Sequence, residues 1–210
     1  MIDPDNVINF NRTQAELEEF LLFCVCVAGK NARRQAKLLD DYLNRLPKAA
    51  TPFERIIKSQ QQSIFNISIE TSHLGKYFLL KMCFRCLVGR SMPGSPLNLK
   101  TCTVQELENV YGIGPKTARF FLLHSRPNQR LGVIDTHILK LLKEKGFKVT
   151  KSTPPAGPTY RMLETAFLEL ADEAKMSPAD FDLMIWKRYS HKLNITETEK
   201  YNEKNTFNTI

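Results

Sequence analysis

The chain has 210 residues, 42% of them hydrophobic, which is enough to bury a core and argues for a folded globular protein. Its net charge of +8 and pI near 9.3 favour a polyanionic partner, and it contains no apolar run of about 18 residues that could span a membrane. Its first ten residues, MIDPDNVINF, lack the basic and apolar regions of a secretory signal. We therefore expect a protein of the cytoplasm or nucleus that is not secreted.

The cysteines predict reduced thiols of an intracellular protein, because their number is odd and no signal peptide is apparent. Cys83 and Cys86 have the spacing of a metal-binding pair, but they lie within an apolar helical pattern. No second Cys or His pair follows at zinc spacing, so we favour buried structural thiols over a metal or redox site. The five cysteines are Cys24, Cys26, Cys83, Cys86 and Cys102.

Helical periodicity and helix-start signals organise the first half of the chain. Thr13 and Glu16 have the spacing of a capping box and predict a helix that begins at Ala15. Pro47 ends a second, basic helix, and the fourth predicted helix is apolar enough to be the central core helix. The predicted helices cover about 15–27, 32–46, 52–65 and 71–88, and GRSMPGSP at 89–96 is a loop.

The second half is also helical. Thr103 and Glu106 form another capping-box pattern, and a Pro-rich loop at 150–158 precedes a helix over about 159–175. The inward face of that helix is expected to be Met162, Leu163, Phe167 and Leu170. A last helix starts near Ser177. We find no convincing β alternation, so we predict an all-α fold, with one helical domain over 1–192 and a polar tail over 193–210.

A tight turn at Gly112, Ile113 and Gly114 lies between two short helical patterns over 107–123. Both glycines permit positive φ and remove side chains that would hold off an approaching backbone. Pro115 suits the first turn of the next helix, whose N–H groups and dipole favour a phosphate. Such a hairpin grips DNA backbone without reading bases. Lys116 lies beside this predicted seat; taken alone, it could equally be a solvated or phosphate-contacting lysine.

The second informative segment is the loop 130–137, which contains Gly132, Ile134, Asp135, Thr136 and His137. An amphipathic helix follows Asp135. Taken alone, this aspartate is best interpreted as a helix N-cap.

Together the two segments resemble the helix-hairpin-helix DNA glycosylase superfamily. The matching residues are GIGPKTA at 112–118, a loop with Pro127 and Gly132, and IDTH at 134–137. FCVCVAG near the N-terminus and DFDLMIW at 180–186 extend the resemblance to the small type-2 8-oxoguanine DNA glycosylases, over roughly residues 15 to 192.

The resemblance implies two helical lobes with an active-site cleft between them and base-excision repair of double-stranded DNA by a monomer. It implies that Lys116 is the nucleophile of a glycosylase with lyase activity and that Asp135 stabilises the sugar cation. DNA backbone would be held by the hairpin, which also binds a monovalent cation in the family. Because no cysteine follows Cys102, the iron–sulfur cluster of some members is predicted to be absent. The DNA-backbone set is Gly112, Ile113, Gly114, Thr117 and Arg119.

The implied base pocket is the part of the resemblance that leaves alternatives open. Its residues are Asp182, Trp186, Phe23, Ala28 and Asn31, although for each aromatic a place in the core is an equally good interpretation. The group usually has Asn directly after the alanine, whereas here Gly29 and Lys30 follow Ala28. This departure leaves open the same chemistry on another oxidised or hypermodified base. A DNA-binding module without catalysis is a further alternative.

Overall fold

The computed structural model describes residues 1–62, 74, 77–90 and 97–190. These residues contain helices and no β-strand, which confirms the all-α prediction. No helix among them is long and apolar enough to cross a membrane. The predicted tail at 193–210 and most of the predicted loop at 89–96 lie outside the described residues. The helices are α1 (Gln14–Val27), α2 (Ala32–Arg45), α3 (Pro52–Gln62), α4 (Tyr77–Arg90), α5 (Val104–Glu108), α6 (Pro115–Ser125), α7 (Thr136–Glu144), α8 (Pro158–Glu173) and α9 (178–190).

The chain divides into two compact units, Met1–Leu131 and Gly132–Ile210. The hairpin therefore belongs to the first unit, and the segment with Asp135 belongs to the second. The assignment of residues 1–192 to a single domain stays a prediction.

Helix α1 is the centre of the first unit. It packs against α2, α3, α4 and α6, and every residue from Phe20 to Val27 is buried. The sequence favoured the helix at 71–88 as the central one; part of that range lies outside the described residues, and among the described residues α1 has the central place. Helix α1 can take this place because its residues from Phe20 to Val27 are apolar on all sides.

A buried carboxylate ties α3 to α1. Glu18 is 4% exposed, and its Oε2 accepts a hydrogen bond of 2.9 Å from the backbone N–H of Phe53 in the first turn of α3. Its Oε1 accepts from the side-chain amide of Gln14 at 3.1 Å. A negative group at this position satisfies an N–H that the helix itself leaves without a partner.

The Cys83 and Cys86 pair lies on α4, where Cys83 is buried and Cys86 is half-buried. Burial raises the pKa of the Cys83 thiol to about 12, so it stays protonated at neutral pH. A thiol that stays protonated is a weak nucleophile, and the interpretation of the pair as structural thiols stays a prediction.

In the second unit, α7, α8 and α9 share one core, which includes Ile138, Leu142, Leu163, Phe167, Phe181 and Ile185. On α8, Leu163, Phe167 and Leu170 are buried as predicted, but Met162 is 55% exposed. The position facing inward is Tyr160, which is fully buried. Residues two apart on a helix point in nearly opposite directions, so only one of Tyr160 and Met162 can face the core.

Candidate functional site

The first helix of the hairpin begins as predicted. The backbone N–H of Thr103 donates to Oε2 of Glu106 at 2.7 Å, and the N–H of Glu106 donates to Oγ1 of Thr103 at 3.2 Å, which completes a capping box. Leu107, Val110 and Ile113 are all buried, so the hairpin is anchored in the first unit by three apolar side chains.

The two hairpin glycines, Gly112 and Gly114, differ in backbone conformation. Gly112 has φ +84°, a left-handed conformation that favours glycine. Gly114 has φ −94° and ψ 178°, an extended conformation open to any residue, so positive φ is used at only one of the two positions. A Cβ at Gly114 would meet no atom within 4 Å. The described residues therefore give no steric reason for glycine there, and its absent side chain leaves exposed backbone open to an approaching molecule.

Helix α6 begins without a side-chain cap. Gly114 is the N-cap residue, and Pro115 is in the first turn. The first N–H groups of a helix have no partner within the helix and carry the positive end of its dipole. Phosphate oxygens are suited to occupy such a position.

The side chains of the predicted DNA-backbone set are mostly engaged within the protein. Ile113 and Thr117 are 4% and 5% exposed, so only their backbone can meet a phosphate. Arg119 forms a 2.8 Å ion pair with Glu108, which joins α6 to α5, and both side chains are largely buried. This pair gives Arg119 a structural role in the hairpin. Its contact with phosphate stays a prediction.

Lys116 is half-buried and rests on an aromatic surface. Its Nζ lies 4.6 Å from the centroid of the Phe120 ring, a cation–π distance. The Phe120 ring meets His124 edge-on at 4.9 Å and lies 5.9 Å from the ring of Phe20. The ring of Phe120 thus supports the lysine.

A second cation, Arg12, supports this aromatic cluster from the N-terminal segment. Its guanidinium carbon lies 3.9 Å from the centroid of the Phe20 ring. Burial raises the pKa of the Cys24 thiol to about 12, while the positive charges of Lys116 and Arg12 act in the opposite direction. The support that Arg12 provides could not be predicted from the sequence, because its guanidinium binds backbone carbonyl groups. Its guanidinium donates to the carbonyl oxygens of Val7 (2.6 Å), Asn9 (2.7 Å) and His124 (2.7 Å).

Asp135 is the N-cap of α7, as the simplest interpretation predicted. Its Oδ1 accepts hydrogen bonds from the backbone N–H groups of His137 at 2.8 Å and Ile138 at 2.9 Å. These bonds fix the orientation of a half-buried carboxylate. The capping role is compatible with a chemical one, because a fixed carboxylate is what the stabilisation of a nearby positive charge requires.

The loop before Asp135 packs closely on α8. A Cβ at Gly132 would lie 3.0 Å from Cδ1 of Phe167 and 3.3 Å from Cα of Glu164, so a side chain there would force backbone or ring to move. The N–H of Gly132 donates to Oε1 of Glu164 at 2.9 Å. Sequence reasoning missed Glu164, since its partner lies 32 positions away.

The predicted base-pocket residues lie in both units. In the first, Asn31 is the N-cap of α2: its Oδ1 accepts from the N–H of Arg34 at 3.0 Å. Ala28 is half-buried at the end of α1. Phe23 is 1% exposed, with its ring stacked 6.3 Å from Phe20, which favours the core interpretation. Its contact with a base stays a prediction.

In the second unit, α9 presents the other two pocket candidates one turn apart. Asp182 is 7% exposed and Trp186 is half-buried. Residues four apart share a helix face, so this carboxylate and this indole are neighbours on one side of α9. His137, the last motif residue, stacks on Tyr189 of the same helix with ring centroids 6.0 Å apart.

No family model matches the chain. Among solved structures, the chain is similar to an 8-oxoguanine glycosylase/lyase of Methanocaldococcus jannaschii, which was crystallised with a 15-mer DNA that contains 8-oxoguanine. The two proteins are 22% identical, the match covers 86% of this chain and 84% of that chain, and the TM-score is 0.58. The chain thus has the all-α fold of that protein.

Proposed function

We propose that this protein is a base-excision repair enzyme that removes 8-oxoguanine from double-stranded DNA and then nicks the strand. The observation that carries the proposal is Lys116 in the first turn behind a Gly-Pro hairpin, in a chain with the fold of a glycosylase/lyase. The net charge of +8 suits a DNA partner.

Lys116 is the proposed nucleophile. The target nucleotide is first flipped out of the duplex, at a cost of a few kcal/mol. The deprotonated amine then attacks C1′ of the sugar, and the bond from C1′ to the base breaks, with its electron pair leaving on the base. The nitrogen of this adduct then loses a proton, the ring bond from C1′ to O4′ breaks, and O4′ takes up the proton, which leaves a protonated Schiff base at C1′. This Schiff base makes a C2′ proton acidic. Loss of that proton expels the 3′ phosphate by β-elimination, so strand nicking accompanies base release.

Asp135 is the proposed electrostatic partner in this reaction. Positive charge develops on the sugar as the base departs, and a carboxylate already held in place stabilises that charge without reorganising. Its Oδ1 is oriented by the two N–H groups at the start of α7. The cap of α7 thus doubles as the support of a reactive group.

The hairpin is the proposed grip on the DNA backbone. The uncapped start of α6 and the open surface at Gly114 support a phosphate contact made by backbone N–H groups. A monovalent cation bridging the hairpin to phosphate belongs to the same proposal. Since phosphate contacts release counterions, affinity should fall steeply as salt rises.

A second candidate is the same chemistry on another oxidised or hypermodified base. The observation that favours it is the segment 28–31, where the expected asparagine is replaced by Gly29 with φ +69°. Asn31 is engaged as the cap of α2 by its bond from Arg34. A side chain that caps a helix is less available to read a base.

Borohydride trapping tests the proposal, because it reduces a Schiff base to a stable covalent adduct. The duplexes carry 8-oxoguanine, thymine glycol, a 5-hydroxymethyl base, uracil or an abasic site. We expect an adduct on 8-oxoguanine DNA that is lost in Lys116→Gln. The matched control is Lys100→Gln, since Lys100 is an exposed lysine in the loop before α5 and should trap like the wild type.

An adduct on a different lesion would support the lysine mechanism and favour the second candidate, the same chemistry on another base. An adduct that survives in Lys116→Gln would assign the nucleophile to another residue. If the wild-type protein forms no adduct on any duplex, the abasic site included, the lysine mechanism is wrong and a non-catalytic DNA-binding module becomes the better account.

A further inference from the structure

The loop that leads to Asp135 has no regular structure, yet its peptide groups are individually held. Gly132, Val133 and Ile134 are buried, and buried backbone groups need hydrogen-bond partners. The N–H of Gly132 is held by Glu164, as described above. The N–H of Asp135 donates within the loop to the carbonyl oxygen of Val133 at 2.8 Å.

The remaining hydrogen bonds to the loop come from the hydroxyl groups of Tyr160 and Thr153. Tyr160 of α8 donates to the carbonyl oxygen of Gly132 at 2.9 Å and accepts from the N–H of Ile134 at 3.1 Å. The next peptide group of the loop is also held, because Oγ1 of Thr153 donates to the carbonyl oxygen of Ile134 at 2.8 Å. Tyr160 is fully buried, so water cannot readily replace its hydroxyl. A single phenol group thus fixes two peptide groups that flank Val133.

This arrangement determines where the carboxylate of Asp135 points. The backbone of Asp135 is extended, with φ −102° and ψ −173°, and its side chain reaches forward to the first N–H groups of α7. A shift of the peptide at Ile134 would turn the Cα–Cβ bond of Asp135 and move the carboxylate with it. The end of the loop is fixed by α7 and its beginning by Tyr160.

We propose that Tyr160 is a positioning residue for Asp135: its hydroxyl locks the loop 132–135, and this lock holds the carboxylate at the place where the sugar cation forms. The inference rests on the proposed function. It adds a residue that lies outside both recognised motifs and acts only through the backbone of the loop.

The test compares two buried tyrosines of the same unit. Tyr160→Phe removes the hydroxyl that binds the loop. Tyr189→Phe removes a hydroxyl that donates to Glu144 at 2.5 Å and keeps the ring that stacks on His137. Both variants lose one buried hydroxyl from a side chain that is at most 3% exposed, so their effects on general stability should be comparable. Thr153→Val, which removes the bond to Ile134 from a half-buried position, serves if Tyr160→Phe does not fold.

Three quantities are measured for each variant: amide hydrogen exchange of the peptide 132–138, the affinity for a duplex with 8-oxoguanine, and the single-turnover rate of base release at saturating enzyme. In Tyr160→Phe we expect faster exchange in that peptide, unchanged affinity and a rate lower by roughly ten- to a hundredfold, as for a misplaced catalytic group. Tyr189→Phe should keep the wild-type rate.

Unchanged exchange in Tyr160→Phe would overturn the lock itself. Faster exchange with a rate equal to that of Tyr189→Phe would show that the loop is loosened without consequence and would overturn the positioning role. A wild-type protein that releases no base and traps on no duplex would overturn the proposed function, and the positioning role with it. The exchange measurement needs no activity, so it distinguishes a failed lock from a failed function.

Discussion

Helices α6 and α7 begin in opposite ways. At the start of α6, Gly114 provides no side-chain cap. At the start of α7, Oδ1 of Asp135 accepts from two N–H groups. Both helix starts carry the positive end of the helix dipole and N–H groups that have no partner within the helix. One start is left open to an anion from outside, and the other holds an anion of the protein itself.

The open start of α6 is not imposed by its backbone. Helix α8 also begins with a Gly-Pro pair, but Gly157 has φ +152°, where a side chain is strained. Gly114 has φ −94°, which serine or aspartate would adopt easily, as Thr13, Asn31 and Thr103 do at their own caps. Glycine at this cap forgoes the stabilisation that serine or aspartate would give, which supports the proposed phosphate contact.

The largest expected effect concerns the closed start. In Asp135→Asn the capping bonds can persist, because Asn and Asp are comparable N-caps. The negative charge is lost, so we expect the rate of base release to fall by roughly a hundredfold or more with little change in the free energy of unfolding. Asp135→Ala should lose both functions and destabilise the protein by about 0.5–2 kcal/mol. Single-turnover kinetics and urea unfolding separate the two effects.

If Asp135→Asn released the base as fast as the wild type while Asp135→Ala was destabilised, the carboxylate would be a cap and nothing else. The capped N-terminus of α7 would then have no part in catalysis, and its difference from the uncapped N-terminus of α6 would be structural only.

A smaller effect is expected from adding a side-chain cap to the N-terminus of α6. Gly114→Ser introduces a good N-cap at a position with a compatible backbone and free space, so the protein should gain a few tenths of a kcal/mol in stability. The new hydroxyl would compete with phosphate for the same N–H groups. We expect DNA affinity to fall roughly two- to fivefold, which corresponds to the ~0.3–1 kcal/mol that an anion gains at a helix start.

Gly114→Ala is the matched variant, since it adds bulk without a capping oxygen. A loss of affinity in both variants would indicate that a side chain obstructs the DNA, whereas a loss in serine alone would indicate competition for the N–H groups. Unchanged affinity of both variants at low salt would contradict a phosphate seat at α6.

The local features were the predictable ones. The capping boxes at Thr13 and Thr103 and the cap at Asp135 each join residues two or three positions apart, so their spacing is visible in the sequence. The turn glycine at Gly112 is equally local. These features, together with helical periodicity and the lack of β alternation, predicted an all-α chain and the two segments on which the proposed site depends.

The contacts that support the site could not be predicted, because they join distant parts of the chain. The hydroxyl of Tyr160 reaches Gly132 28 positions earlier, and Glu18 reaches Phe53 across 35 positions. A helical pattern reveals that position 160 shares a face with Leu163, but not that its hydroxyl binds a peptide group. The ion pair of Arg119 with Glu108 likewise joins residues 11 positions apart and gives Arg119 a structural role that the sequence did not suggest.

The smallest expected effect comes from the caps of α1 and α5, which are closed by titratable groups. Hydrogen bonds from Thr13 and Thr103 hold the pKa values of Glu16 and Glu106 below their usual range. A lowered pKa in the folded state means that the ionised carboxylate stabilises the fold above the usual glutamate pKa of about 4.3, and that this contribution is lost as the pH falls through the folded value. The double variant Glu16→Gln, Glu106→Gln keeps capping oxygens that do not titrate. Urea unfolding between about pH 6 and about pH 3 should therefore show a free energy of unfolding that depends less on pH than in the wild type.

Glu169→Gln, at an exposed position of α8, controls for the removal of a surface charge, and its free energy of unfolding should change with pH as in the wild type. If the free energy of unfolding of the double variant changed with pH as in the wild type, the caps of α1 and α5 would add no acid-sensitive stability. The contrast with the uncapped start of α6 would then rest on ligand binding alone.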